Sequence, residues 1–290
     1  MKTIKFAFIG GTGFYDIRNT KIVDQISIET PFGPPSGLIS LVELANQTVA
    51  FLPRHGLDHN ISPSYLPARA NIYALKTIGI ERLVSISAVG SLSEEINPED
   101  AVIPDQLIDR TYQRVNTFFD KSMVAHISFA KPFCNELSES LIEASENYMN
   151  VHRGGTMVVI EGPAFSTSAE SRLYQKWGGN IIGMTALPEA KLAREAEICY
   201  ASLSLVTDND SWEESDHVSQ EKVAAHLASN VTNGQSIIKN LIPKLISPRT
   251  CECQNALANT IITKDASVGA VEYARLKSII SKYVQPNTQN

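Results

Sequence analysis

What most constrains this chain is a repeated succession, carried along its 290 residues, of a short apolar run, a turn of glycine or other small residues, and an amphipathic segment. Runs rich in Val, Ile, Leu and Phe at 4–9, 38–42, 48–52, 82–88, 156–161, 180–184 and 198–206 predict buried strands. Segments 66–76, 136–149, 169–177, 189–196, 218–241 and 269–283 carry apolar residues at helical spacing, and Pro67 falls in the first turn of the first of them. The polar stretch 247–259 predicts a loop. Strand and helix alternate, the pattern of an α/β fold. With 43% hydrophobic residues and no internal repeat, residues 1–290 are expected to form a single domain whose C-terminal part, from about 218, is helical.

The formal charge of -6 argues against a nucleic-acid backbone as partner, because tracking phosphates needs clustered Lys and Arg. No apolar run reaches the roughly 18–20 residues of a membrane span, and the N-terminus has no signal-peptide cleavage pattern. A cytoplasmic protein acting on a small molecule is therefore expected. Four cysteines, Cys134, Cys199, Cys251 and Cys253, are too few for a disulfide framework, and no paired C-x-x-C suggests zinc.

Several predicted strands end in residues suited to an anion. The run 4–9 enters Gly10-Gly11-Thr12-Gly13, where missing side chains let backbone N–H groups close on a ligand and the Thr12 hydroxyl adds a donor. A dinucleotide fold is the rival reading; against it, Asp16 stands at the third glycine position and no apolar helical face follows. Arg54 and His55 follow the strand ending at Leu52, offering a forked cation and a second donor. His55 and His59 have the i,i+4 spacing of a helical zinc site, yet Gly56 occupies the place of a metalloprotease glutamate, so no metal is expected. Ser87-Ala88 close another strand, and Thr185 opens a helix whose first turn holds Pro188 and Glu189. After the run 198–206 comes Thr207-Asp208-Asn209-Asp210, open to reading as a turn, a cation site or a paired acid and acceptor; Ser211-Trp212 breaks any calcium-loop series.

Together, Ile9-Gly10-Gly11-Thr12-Gly13, Thr30-Pro31-Phe32-Gly33, Arg54-His55-Gly56, Gly90-Ser91-Leu92, residues 105–111, residues 161–166, Glu170-Ser171, Met184-Thr185 and Thr207-Asp208-Asn209-Asp210 make the chain resemble the trimeric purine nucleoside phosphorylases, most of all their 5'-methylthioadenosine phosphorylase branch. The resemblance spans nearly the whole chain. It implies a single α/β domain with a central mixed, barrel-like sheet flanked by helices, assembled as a homotrimer or as a hexamer of two trimers, with the active site near a subunit interface. It implies phosphorolysis of S-methyl-5'-thioadenosine, with adenosine as a further substrate and a 6-oxopurine nucleoside or methylthioinosine as the alternative. Inorganic phosphate is then a co-substrate, and no cofactor is expected.

Carried onto this sequence, the resemblance assigns Thr12, Arg54, His55, Ser87, Ala88 and Thr185 to phosphate, and Met184 to the ribose. Phe165 would stack beside the base, and Ser166, Asp208, Asn209 and Asp210 would form the purine pocket. His59, His126 and Val223 would lie near the 5' position, where Gln220 departs from the bulkier apolar residue of eukaryotic relatives. Asp208 is the candidate proton donor to the leaving base, and burial beside Asp210 is expected to raise its pKa. Cys251-Glu252-Cys253 resembles a C-terminal C-x-C of some microbial members, where it is a redox-active or stabilising pair; two reduced surface cysteines are the other reading.

Overall fold

In the computed structural model, which describes residues 4–11, 14, 20–212 and 220–285, the predicted runs become strands of one mixed sheet. Its axis is the long strand β5 (Arg82–Ser91), flanked by β1 (Phe6–Gly10) and, along its full length, by β11 (Cys199–Asn209), both parallel to it. Strands buried on both faces read as unbroken apolar runs, as β1 does; β11 is equally buried but carries Ser202 and Ser204 within its apolar stretch. Beyond β1 come β4 (Gln47–Pro53), β3 (Ile39–Leu44) and the exposed edge strand β2 (Ile22–Ile26). On the same side, past the end of β1, β5 pairs antiparallel with β10 (Ile181–Gly183), which leads to β9 (Thr156–Ile160) and β7 (Gln106–Arg110). Two short strands, β6 (Ala101–Ile103) and β8 (Val151–Arg153), extend the sheet from β11.

The result is a mixed sheet of 11 strands, branched at β5 and not closed into a barrel. Six helices flank it among the described residues. Helices α1 (Ala68–Thr77), α4 (Ala186–Glu195) and α6 (Ala270–Ile280) cover one apolar layer that includes Ile72, Leu75, Ala190, Leu192, Leu276 and Ile279. Helices α2 (Asn135–Ser145) and α5 (Gln220–Leu241) cover a second layer with Leu137, Leu141, Ile237 and Ile238. Helix α3 (Ser168–Lys176) is started by a capping box, in which the Thr167 hydroxyl accepts from the Glu170 N–H while the Glu170 carboxylate accepts from the Thr167 N–H.

Three expectations change. Ser87-Ala88 do not end their strand; β5 continues to Ser91 because β11 pairs with it throughout and β10 takes up its other edge at Gly90. The acidic cluster likewise starts inside β11, which runs to Asn209 across a bulge at Thr207 and leaves only Asp210 beyond its end. The stretch 247–259 is a loop only in part: a 3-10 turn at Glu252–Asn255 folds it back, so that Cys253 is buried and Cys251 half-buried against Cys134 and Cys199 rather than free on the surface.

Candidate active site

The site follows from a change of partner along β5. One edge of this strand pairs with β1 as far as Ile86, opposite Gly10, and with β10 from Gly90 onward. Between these pairings Ser87, Ala88 and Val89 have no partner strand on that edge among the described residues, and the sheet splays apart there. Ser87 and Ala88 are also the only break in the burial of β5. A cavity of about 260 Å³ opens at this point, of a size suited to a small-molecule ligand and mostly apolar in its lining.

At one end, parallel pairing gathers the carboxyl ends of β1 and β4. The Arg54 N–H donates to the Gly10 carbonyl, tying the two turns together. A Cβ built on Gly11 would lie 3.8 Å from the His55 ring and 4.0 Å from Arg54 Nη1, so the glycine turn lies directly against both side chains. Arg54, His55, Ser87, Ala88 and Thr185 all line the cavity, whereas Thr12 and Gly13 fall outside the described residues. Thr185 precedes α4 without capping it, and the backbone leaves helical geometry at Leu187, so the regular helix begins after that residue, close to the 189–196 that the sequence suggests.

Arg54 is held more firmly than an anion-binding loop residue would be. Its guanidinium is 1% exposed and donates through Nε to Glu189 Oε1 at 2.6 Å, through Nη2 to Glu189 Oε2 and to the Ser85 hydroxyl, and to the carbonyls of Ile9 and Ile86. Glu189 also accepts from the Tyr200 hydroxyl at 3.1 Å. The charge is thus paired, and the pair is fixed in direction by two strands and a helix.

His55 differs from expectation. Its Nδ1 lies 2.8 Å from the Ile61 carbonyl, which only accepts, so Nδ1 carries the proton. Burial pushes its pKa down to about 4, with Arg54 and His59 adding to the effect and the Ile61 bond opposing it. The neutral ring therefore presents Nε2 as an acceptor, suited to a phosphate O–H or a sugar hydroxyl rather than to a bare oxyanion. The His59 ring stacks on it, with centroids 4.4 Å apart.

Toward the other end, the bulge at Thr207 turns the Asp208 carboxylate over Gly90. A Cβ on Gly90 would stand 3.0 Å from Asp208 Oδ1 and 3.1 Å from Ile182, which is why this position needs a glycine. The Thr207 hydroxyl donates to Asp208 Oδ2 at 2.7 Å, and Ser171, set by the capped α3, donates to Asp210 Oδ2 at 2.6 Å. Burial pushes the Asp208 carboxyl up to about 6; the nearby Asp210 charge adds to this, and the Thr207 bond opposes it. Burial raises Asp210 as well. Met184 and the exposed Phe165 complete this part of the lining, with Val223 and Leu227 contributed by α5.

Three proposed residues stand apart from this lining. Ser166 is buried, with a hydroxyl that has no partner among the described residues. Asn209 pairs with Ser91 in the sheet, and the His126 N–H donates to the Thr260 carbonyl. The side chain of Gln220 lies outside the described residues. Sequence reasoning missed Arg114, which ion-pairs with Glu161 at 3.0 Å and donates to the carbonyls of Met184 and Leu187, holding the segment that carries Met184 and Thr185. It also missed Phe14 and Leu227 as lining; an apolar residue in a core pattern carries no sequence mark of facing a cavity.

A model of the phosphorylase superfamily matches residues 5–243, which contain every residue of the cavity. The chain belongs to the phosphorylase superfamily. Among members of this superfamily, the S-methyl-5'-thioadenosine phosphorylase of Geobacter sulfurreducens is 49% identical over 279 residues, covering 95% of this chain and 98% of its own. A crystal structure of a methylthioadenosine phosphorylase from an antarctic soil metagenomic library superposes with a TM-score of 0.91 at 45% identity, covering 96% of this chain and 99% of the other. A variant of the adenosine/methylthioadenosine phosphorylase of Schistosoma mansoni, solved in complex with methylthioadenosine, gives a TM-score of 0.82 at 34% identity and covers 87% of this chain and 95% of the other. The splayed sheet is therefore the superfamily's fold. No helix among the described residues is long and apolar enough to cross a membrane.

Proposed function

We propose that this chain catalyses the phosphorolysis of S-methyl-5'-thioadenosine to adenine and S-methyl-5-thioribose 1-phosphate, with adenosine as a second substrate. The observation that carries the reading is a buried carboxyl, Asp208, pushed up to about 6 and sharing one cavity with Arg54, Ser87 and Thr185. Asp208 pairs in register with Gly90, three residues beyond Ser87 on β5, which separates the two groups by roughly 10 Å along the strand. That is the span of a nucleoside with phosphate at its anomeric carbon.

Phosphorolysis passes through a sugar with oxocarbenium character while negative charge gathers on the leaving purine. Phosphate, held between the Gly11 turn, the Ser87 and Thr185 hydroxyls and the Arg54 charge, attacks the anomeric carbon. The neutral His55 accepts a hydrogen bond through Nε2 from a phosphate O–H or a sugar hydroxyl, with no proton transferred. The protonated Asp208 donates to ring nitrogen 7 of the departing base, and Asp210, oriented by Ser171, accepts from the exocyclic amine. A carboxylate facing that position repels the carbonyl of a 6-oxopurine, so adenine is favoured. Met184 packs on the ribose and Phe165 covers the base, with Ser166, next to Phe165 in the chain, assigned to the same pocket. Inorganic phosphate is a co-substrate, and the proposed steps need no cofactor.

The working form is a homotrimer in the cytoplasm. Assembly with the site near an interface gives His126 its role: it is absent from its own chain's cavity and would approach the 5' end of the nucleoside bound by a neighbour. Release of the free base, adenine from methylthioadenosine and adenosine and hypoxanthine from inosine and methylthioinosine, each with and without phosphate, tests the reading. Methylthioadenosine cleaved only with phosphate is expected; no cleavage of it, or faster cleavage of inosine, rejects the assignment.

A further inference from the structure

Far from the cavity, at the opposite end of β11 from Asp208, the fold gathers all four cysteines of the chain. Cys134 precedes α2, Cys199 begins β11, and Cys251 and Cys253 flank the start of the turn at Glu252–Asn255. Their sulfurs all lie within 4.8 Å of one another, and Cys199 Sγ and Cys251 Sγ are 3.2 Å apart. Two disulfides would divide four sulfurs into two bonded pairs near 2.05 Å, whereas a tetrahedral thiolate site spaces them by about 3.8 Å from one another. All four cysteines are free, grouped as a foursome rather than as pairs.

Two guanidinium groups lie beside the sulfurs. Arg249 Nη1 donates to Cys199 Sγ at 3.8 Å, and Arg194 Nη1 donates to Cys253 Sγ at 3.9 Å. Both cations would offset part of the net charge left when four thiolates bind one divalent ion. The loop is also preorganised: Glu136 accepts from the N–H groups of Thr250 and Cys251 and from the Thr250 hydroxyl while paired with Arg82 at 3.1 Å, and the Cys134 N–H donates to the Tyr200 carbonyl.

We infer that Cys134, Cys199, Cys251 and Cys253 form a closed structural site for a thiophilic divalent cation, zinc by its ligand set and geometry, which staples the segment after α5 to the start of β11. Spacing in the sequence hides this site, because the ligands come from three separate stretches and only one pair is close in the chain. Four protein ligands leave no open position, so the ion is structural. The site is independent of the proposed reaction.

The test uses the full chain expressed with zinc in the medium and purified under reducing conditions, with metal measured by elemental analysis and thiols counted in denaturant. About one zinc per chain, retained through dialysis and released on titration with a mercurial, is expected. Replacing zinc with cobalt should give the visible absorption of a tetrahedral cobalt centre with a thiolate charge-transfer band. The variants C251S and C253S should each lose at least about tenfold in retained metal. Metal-free protein overturns the inference, whether its thiols are all titratable or consumed in disulfides, and so does zinc retained undiminished in both variants. The cobalt spectrum of the wild-type chain decides the matter even if the variants fail to fold.

Discussion

At the residue scale, Asp208 is a group whose chemistry opposes stability. Burial pushes its carboxyl up to about 6, against about 3.9 in an unfolded chain. A raised folded pKa means that the stability it contributes is complete below about pH 4 and is lost as pH rises through about 6. At neutral pH the charged form therefore costs about 3 kcal/mol. Asp208→Asn removes the ionisation while keeping the shape. It is expected to unfold at a higher urea concentration than the parent at pH 7.5, with the difference shrinking toward pH 4. Its kcat/KM should fall about 100-fold or more, because the proton donor is gone. The parent's kcat/KM should decline above pH 6 relative to that of the variant. Equal urea midpoints at both pH values, or undiminished turnover, would remove Asp208 from this role.

At the scale of elements, the long apolar runs and periodic helices were legible because burial on both faces, or on one stripe, is written directly in residue type. All seven predicted strands and six predicted helices have counterparts in the fold. The strands missed were β2, exposed almost throughout, β7, with three of its five residues charged or amide-bearing, and β6 and β8, each of three residues. The identities of Arg54 and Glu189 were legible, but their pairing was not, since 135 positions separate them. That pair locks the end of β4 to α4. Glu189→Gln leaves a buried guanidinium without its counter-charge and is expected to lower stability by about 3 kcal/mol or more in urea unfolding. Phosphate bound beside Arg54 would replace part of that charge, so adding phosphate should raise the unfolding midpoint more in the variant than in the parent. An equal rise would separate Arg54 from the phosphate.

At the scale of the whole molecule, motif order reveals the family, but it does not say which motifs meet in one chain's cavity. Most of the proposed contacts converge because β5 changes partners over the cavity, a consequence of sheet topology that no local pattern encodes. His126 does not converge with them: its backbone is tied to Thr260, next to the isolated bridge between Ala125 and Ile261, and it is not among the lining residues. If a neighbouring subunit supplies it, each working site draws Asp208 from one chain and His126 from another. Asp208→Asn and His126→Ala chains, each impaired alone at low nucleoside concentration, should then complement when co-expressed. Random mixing in equal amounts places intact versions of both residues together in about a quarter of the sites. Recovery approaching that fraction of parental activity is expected, accompanied by a trimer's sedimentation coefficient. Activity no greater than the average of the two separate variants would mean that His126 serves its own chain or none, and that the shared site does not exist.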